Sequence, residues 1–278
     1  MDGLGGKGLN VARVLTVLGE PALLLGFAGG RRGDWMKQEL QREGIKFEFV
    51  EVSPETRLCT TIIDQERGTI TELVEESAQV PDSCYDELFT RIQTLLPTAK
   101  ALLLSGTITR EGPTDFYARC VAGARKAGTT CIVDAQGALL TRAIEQGPDA
   151  VKPNKHELER TFGRELRDME DTWAAMNDLI ARGARNVVIT NGPDQVLACS
   201  PEQRWIITPP QVKTVSPIGS GDSFAAALGA WLARGESIGE ACRAGTAAGA
   251  ANALTLTPGN LDHARFETLL ANVKIQKV

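Results

Sequence analysis

Along residues 219–235 the apolar positions Phe224, Leu228, Trp231 and Leu232 recur at the spacing of one buried helical stripe. Pro217 and Gly219 break whatever precedes this helix, and Gly235 supplies a stop. Gly8–Gly19 reads the same way, with Val11, Val14, Leu15 and Leu18 on one face. Further helices are expected near residues 34–42, 84–96, 114–127, 168–182, 238–254 and 262–273. Between them lie short apolar runs: "ALLLGFAG" (Ala22–Gly29), "ALLLSG" (Ala101–Gly106), "TCIVDA" (Thr130–Ala135), "DAVKPN" (Asp149–Asn154) and "NVVITNG" (Asn186–Gly192). Such runs suit strands buried on both faces. Strand–helix alternation predicts the α/β class, with a mostly parallel central sheet covered by helices on both faces.

The texture changes over residues 46–75. "KFEFVEV" (Lys46–Val52), "RLCTTIID" (Arg57–Asp64) and "TITELVE" (Thr69–Glu75) alternate apolar with polar side chains, separated by turn signals at Ser53-Pro54 and Gly68. This predicts a small antiparallel sheet with one wet face, too thin to be a domain alone. The expected organisation is an α/β core of residues 1–45 and 76–278 carrying residues 46–75 as an inserted lid.

The 278 residues, 42% of them hydrophobic, suffice for one large domain or a domain with a small appendage. The net charge of −5 comes from mixed signs, without the basic face of a nucleic-acid binder or a polybasic membrane anchor. Neither nucleic acid nor membrane is therefore an expected partner. Six scattered cysteines form no C-x-x-C pair, which speaks against zinc or disulfide frameworks and for a reducing cytoplasm. With only His156 and His263 present, histidine triads and H-E-x-x-H metal sites are excluded. The chemistry must rest on carboxylates, lysines, arginines and backbone dipoles.

Three stretches carry candidates. In "SPIGSGDS" (Ser216–Ser223) glycines open the helix, and its first-turn N–H groups and positive dipole end suit a bound anion. The same field favours an ionised Asp222, so phosphate site and base fall within one turn; a plain N-terminal capping Asp fits the spacing too. "GGKGLN" (Gly5–Asn10) places glycines and Lys7 before a helix without the spacing of a Walker A loop. In "KPNKHEL" (Lys152–Leu158), Asn154 and Glu157 fall on one face of a turn, suited to the water shell of Mg²⁺ or equally to a capping box. Ligands of parallel sheets bind at the carboxyl ends of strands, which singles out Ser105-Gly106, Asp134, Lys152–Asn154 and Thr190–Gly192.

Taken together, G-G-K-G-x-N, a lid, N-x-x-E and G-S-G-D, in that order over nearly the whole chain, resemble the ribokinase-like sugar kinases of the phosphofructokinase B family. "GGKGLNVARVL", "ETRLCTTIID" and "SPIGSGDS" are most similar to the 1-phosphofructokinase and tagatose-6-phosphate kinase branch. The resemblance implies a ribokinase-like fold and an ATP- and Mg²⁺-dependent cytoplasmic kinase acting on a hydroxymethyl group of a ketohexose phosphate. It implies Asp222 as base and Gly219, Ser220 and Gly221 as the anion hole. It implies Gly6, Lys7, Asn10, Arg57, Ser105 and Asp134 around the sugar phosphate, with Lys7 and Arg57 at its phosphate. Lys152, Asn154, Thr190, Gly192 and Asn252 would line the nucleotide, and Asn154 and Glu157 would hold Mg²⁺ through water. A homodimer through the lid is a further expectation. The alternatives are a kinase for an unphosphorylated sugar or nucleoside, and a non-catalytic sugar-phosphate binder.

The chain departs from the family pattern in three places. Gln195 stands in "TNGPDQ" where glycine is usual, and "DAQG" (Asp134–Gly137) replaces D-T-S-G. The chain also starts at the glycine motif, without the preceding core strand, N-P-x-x-D segment and first lid strand of the family. The expectation is an incomplete version of a longer natural protein, with an uncovered sheet edge and poor solubility or weak activity.

Overall fold

The computed structural model describes residues 3–64, 67 and 69–278; Gly68, read above as a turn, lies outside them. The chain begins with α1 (Lys7–Val17), β1 (Leu23–Ala28), α2 (Gly30–Arg42), β2 (Lys46–Glu51), β3 (Cys59–Asp64), β4 (Thr69–Val74) and α3 (Asp82–Leu95). It continues through β5 (Ala101–Ser105), α4 (Phe116–Ala127), β6 (Thr130–Asp134), α5 (Gly137–Ile144), β7 (Ala150–Val151), α6 (Lys155–Phe162) and α7 (Met169–Ala181). Then follow β8 (Val187–Ile189), β9 (Val196–Cys199), β10 (Arg204–Thr208), α8 (Ser220–Ala233), α9 (Ile238–Ala253), α10 (His263–Asn272) and β11 (Lys274–Lys277).

The main sheet has the order β11-β10-β9-β8-β7-β6-β5. Strands β5 to β8 are parallel, and β8 to β11 antiparallel. Alternation along each strand divides the core into two. Cys131, Val133, Val187 and Ile189 face α3, α4, α5 and α7, whereas Ile132, Val188 and Ala198 face α1, α8, α9 and α10. The α8–α9 contact is close because it is built from small residues; a Cβ at Gly245 would come within 2.9 Å of the Phe224 ring. The α/β layering with helices on both faces and a small antiparallel sheet is the expected ribokinase-like architecture. Among the described residues, no helix is long and apolar enough to cross a membrane.

The small antiparallel sheet is the hairpin β3–β4, in register from Cys59↔Val74 to Asp64↔Thr69. Lys46–Val52, expected in that sheet, is instead parallel to β1, pairing Leu23↔Lys46 through Ala28↔Glu51. The reason lies in its two faces. Phe47 and Phe49 pack on the cluster of Leu9, Leu40 and Ile45, while Val50 joins the core beneath α3. Alternation reports that a strand has unequal faces, and a parallel edge strand has them as well. Among the described residues β1 pairs only with β2, and β5 only with β6. The β1–β2 pair is thus a two-stranded sheet separate from the main one, and Leu24, Leu25, Leu102 and Leu103 are only partly covered.

Candidate active site

Strands β5, β6, β7 and β8 run parallel, so Ser105, Asp134, Lys152 and Thr190 emerge at one end of the sheet. Helices α1, α6 and α8 begin there. Gly6 precedes α1 at φ 123°, Asn154 caps α6, and Gly219 precedes α8 at φ 82°. The N-termini of α1 and α8, which carry no side-chain cap, and that of α6, capped by Asn154, surround one strand end and make a region of positive potential suited to phosphates.

Five charged side chains meet at this end. Asp134 is 2% exposed, and its Oδ1 lies 3.3 Å from Lys152 Nζ and 3.7 Å from Lys7 Nζ. That oxygen has no hydrogen-bond partner, while Oδ2 accepts from Ser105 Oγ at 3.4 Å. Lys7 Nζ also donates to Glu157 Oε1 at 3.5 Å. Burial pulls the Lys7 ammonium down, but the carboxylates of Asp134, Glu157 and Asp222 together hold it above the ordinary lysine range. Lys152 is buried and sits 3.8 Å from where a Cβ on Gly221 would be, beside the first turn of α8. Buried ion pairs add little stability against an apolar packing of the same volume. Their concentration at one strand end therefore argues for chemistry rather than for holding the fold.

Asp222 occupies the first turn of α8 and is 7% exposed. Its Oδ2 accepts from Asn10 Nδ2 at 2.7 Å. Burial pushes its carboxyl above the usual carboxylate range, Asn10 opposes this, Asp134 adds to it, and Lys7 and Lys152 oppose it. The helix field favours the ionised form, but desolvation outweighs it in the folded chain. Gly219, Ser220 and Gly221 line the same turn, with Gly221 exposed and Gly219 pressed from behind by Pro258.

Asn154 and Glu157 form the capping box in full: Asn154 Oδ1 accepts from Glu157 N at 2.8 Å, and Glu157 Oε2 from Asn154 N at 2.9 Å. The capping role leaves Glu157 Oε1 directed at Lys7, inside the charged cluster. One carboxylate oxygen and a neighbouring amide suit Mg²⁺ held through its waters and through phosphates, because this ion dehydrates reluctantly. Thr190 bridges to Asn154, and Lys155 N donates to Thr190 O at 2.9 Å, which joins the β8 end to α6. Gly192 turns the loop at φ 55°. Next to it a cleft of about 540 Å³ is lined by Asn191, Asp194, Gln195 and Thr208. Gln195 donates to Thr208 Oγ1 at 3.4 Å there.

Asn252 is wholly buried. Its Nδ2 donates to Ile218 O at 2.8 Å and Ser220 Oγ at 3.3 Å, and its Oδ1 accepts from Gly259 N at 2.8 Å. Its side chain braces the Gly219–Gly221 turn from behind, a task the sequence reading did not foresee. Asn252→Ala would leave the buried Gly259 N–H and the part-buried Ile218 carbonyl without this partner, at about 1–3 kcal/mol. A lower denaturant midpoint at unchanged slope is the expected result. Gly259 was also missed; a Cβ on it would come within 2.9 Å of the Asn10 backbone. The Pro258-Gly259 pair is a turn signal in the sequence, but it carries no information about Asn10.

Arg57 stands apart. It is exposed, in a segment tethered to the β1–α2 junction by Thr56, whose N–H donates to Gly29 O at 2.9 Å. Among the described residues no ion pair links it to the Lys7 cluster.

The model of the pfkB family carbohydrate kinases matches residues 2–263. Phosphofructokinase-2 of Escherichia coli is similar in structure, with a TM-score of 0.90 and 30% identity over 96% of this chain and 87% of that one. A possible 1-phosphofructokinase of Thermotoga maritima gives a TM-score of 0.89 at 24% identity, covering 99% and 88% of the two chains. The ribokinase of Arabidopsis thaliana gives 0.78 at 21%, covering 96% and 87%. The last two likenesses carry the fold alone. Family match, fold and charged cluster agree: the chain belongs to the pfkB family of carbohydrate kinases, and is an ATP-dependent kinase of a sugar or sugar phosphate.

Proposed function

We propose that this kinase phosphorylates a hydroxymethyl group of a ketohexose phosphate, as a 1-phosphofructokinase or tagatose-6-phosphate kinase does. The observation that carries the reading is the buried Asp222 carboxylate at the mouth of α8, one turn from Gly219–Gly221 and beside Lys7 and Lys152. Asp222 accepts the proton of the hydroxymethyl group as its oxygen bonds to the γ-phosphorus. The bond from that phosphorus to the bridging oxygen breaks, and ADP leaves. The backbone N–H groups of Gly219, Gly221 and Asp222 and the Lys152 ammonium stabilise charge on the transferring group. Mg²⁺, when bound, neutralises phosphate charge, and Glu157 and Asn154 are the residues placed to hold its waters.

For the sugar we assign Gly6, Lys7, Asn10, Ser105 and Asp134, whose side chains or backbone converge on the strand end. Asp134 Oδ1, which accepts no hydrogen bond and is ion-paired with Lys152 and Lys7, suits a sugar hydroxyl. The nucleotide is assigned to Lys152, Asn154, Thr190 and Gly192, with the neighbouring cleft for its nucleoside end. Residues 46–75 are assigned as the lid, although β2 pairs with the core strand β1. On the hairpin, Leu58, Ile62 and Leu73 are more than half exposed, which supports a homodimer through this element. All six cysteines are free thiols, which supports a cytoplasmic location.

The test is ADP release measured with a coupled assay across sugars, nucleosides and sugar phosphates. Turnover confined to ketohexose phosphates is expected, and turnover confined to free sugars would overturn the assignment. A free sugar or nucleoside is the second reading, favoured by the lack, among the described residues, of any ion pair between Arg57 and the Lys7 cluster. Arg57→Ala decides between them. If the lid brings Arg57 to a substrate phosphate, KM for the sugar phosphate rises roughly 10–100-fold, the worth of a charge-assisted hydrogen bond. KM for ATP stays unchanged. A rise in KM for ATP alone would remove Arg57 from the sugar site.

A further inference from the structure

We infer that Asn10 is a positioning residue for the base, its amide holding the Asp222 carboxylate oriented and ionised. The inference rests on the reading of Asp222 as base. Asn10 is the one fully amide-bearing side chain on the buried face of α1, whose other buried members are Leu9, Val11, Ala12 and Val14. Packing alone would be served by another apolar residue at that place. The chain instead buries an amide to 5% exposure, donates Nδ2–H to Asp222 Oδ2 at 2.7 Å, and leaves Oδ1 without a partner. An orphaned buried acceptor costs free energy, so the arrangement is not one that stability selects.

The start of α1 is held from outside. Gly259 lies so close that a Cβ there would meet the Cα and carbonyl oxygen of Asn10 at 2.9 Å. Gly259 N is in turn tied to Asn252, which braces the turn before Asp222. The backbones that carry base and amide are thus held against one frame of contacts.

The charged groups acting on Asp222 come from three directions. Lys7 is on α1, Asp134 ends β6, and Lys152 follows β7. Helix α9, packed on α8, contributes the neutral Asn252, and β5 ends in the neutral Ser105. Burial and Asp134 favour the protonated carboxyl; Asn10, Lys7 and Lys152 favour the ionised one. Asn10 is the only one of these that donates a hydrogen bond to the carboxylate. An ionised carboxylate accepts only, so the Nδ2–H contact matches the state a base needs. The two lysines are shared with Asp134 and Glu157, whereas the Asn10 Nδ2–H donates to Asp222.

The sign follows from the donor. Removing a hydrogen bond to the charged form favours the proton on Asp222, so the acid limb of the kcat profile moves to higher pH. The experiment records kcat and both KM values from acidic to alkaline pH for wild type, Asn10→Leu and Asn10→Asp, with thermal unfolding of each. In Asn10→Leu the acid limb is expected to rise by about one pH unit or more, the worth of a hydrogen bond to a charged group. Much of the lost rate should return at alkaline pH. In Asn10→Asp, a second buried carboxyl beside the first moves the limb further in the same direction. This variant keeps the side-chain volume should the Leu variant fail to fold. An unmoved limb in folded variants, with only the KM for the sugar raised, would reduce Asn10 to a substrate contact and overturn the inference. Asp222→Asn separates the two failures. Near-normal turnover in that variant ends the reading of Asp222 as base, whereas an inactive Asp222→Asn with unmoved Asn10 limbs ends the Asn10 inference alone.

Discussion

Asp222→Asn is expected to lower kcat by roughly 10²–10⁴ while nucleotide binding and fold persist, the usual worth of a positioned general base. The carboxylate lies within one helical turn of Gly219–Gly221 and is 7% exposed. Asparagine has the same outline and can still accept from Asn10, so what is removed is proton acceptance and the negative charge facing Lys7 and Lys152. Stability should move the other way. Burial holds the Asp222 carboxyl above its unfolded range. The native state therefore binds this proton more tightly than the unfolded chain does, and the contribution to stability declines as pH rises through that window. At neutral pH the neutral Asn variant should melt no lower than wild type, and higher if no other group compensates. Steady-state kinetics with saturating substrates, alongside a melting curve, checks both halves. An inactive variant that melts far lower would indicate a structural lesion instead of a lost base.

The parts of the fold legible in the sequence were those with strong one-dimensional patterns. The stripe of Phe224 and Leu228 gave α8, which starts at Ser220 and ends at Ala233. The apolar runs gave β5, β6 and β8 at their observed places. The antiparallel half of the sheet was not foreseen. Val196–Cys199 is a run of four residues, and Lys274–Lys277 is exposed at every position, so neither has a pattern that separates strand from loop. Helices α5 and α6, eight residues each, were too short for periodicity to declare them. The direction of β2 was equally hidden, since burial of alternate residues does not encode the partner strand.

The site was legible as a set of strand ends and helix starts, but not as a network. Lys152 to Asp134, Lys7 to Glu157 and Asn10 to Asp222 are pairs separated by many residues. Spacing along the chain carries no information about them; the topology of the parallel strands brings them together. The capping box at Asn154 and Glu157 was a local pattern, and both of the readings it allowed concern the same atoms. Its fulfilment fixes where Glu157 Oε1 points, so the cap also serves the charged cluster.

Gly221→Ala should lower kcat/KM for ATP by roughly 10²-fold, the worth of a displaced oxyanion-type donor, while leaving the protein as stable as before. The contrast with Gly219 gives this expectation its force. Gly219 adopts φ 82°, and a Cβ there would meet Pro258 Cβ at 2.7 Å and Cα at 2.9 Å. Gly219→Ala therefore costs about 1–2 kcal/mol for the left-handed conformation alone, before any clash with Pro258. Loss of activity in that variant would not distinguish fold from function. Gly221 has no such duty. It lies inside α8, is exposed, and a Cβ on it would meet nothing closer than Lys152 Nζ at 3.8 Å, an ordinary contact. Alanine is the better helix former by up to about 1 kcal/mol, so propensity and packing both permit it. The fold has no need of a glycine at 221, which leaves a ligand approaching the backbone as the reason for one. A phosphate drawn to the first-turn N–H groups needs the space a methyl group would take, beside the buried Lys152 ammonium. Melting temperature and kcat/KM measured on the two variants together decide the matter. Unchanged stability with near-wild-type kcat/KM in Gly221→Ala would move the transferring phosphate away from this turn.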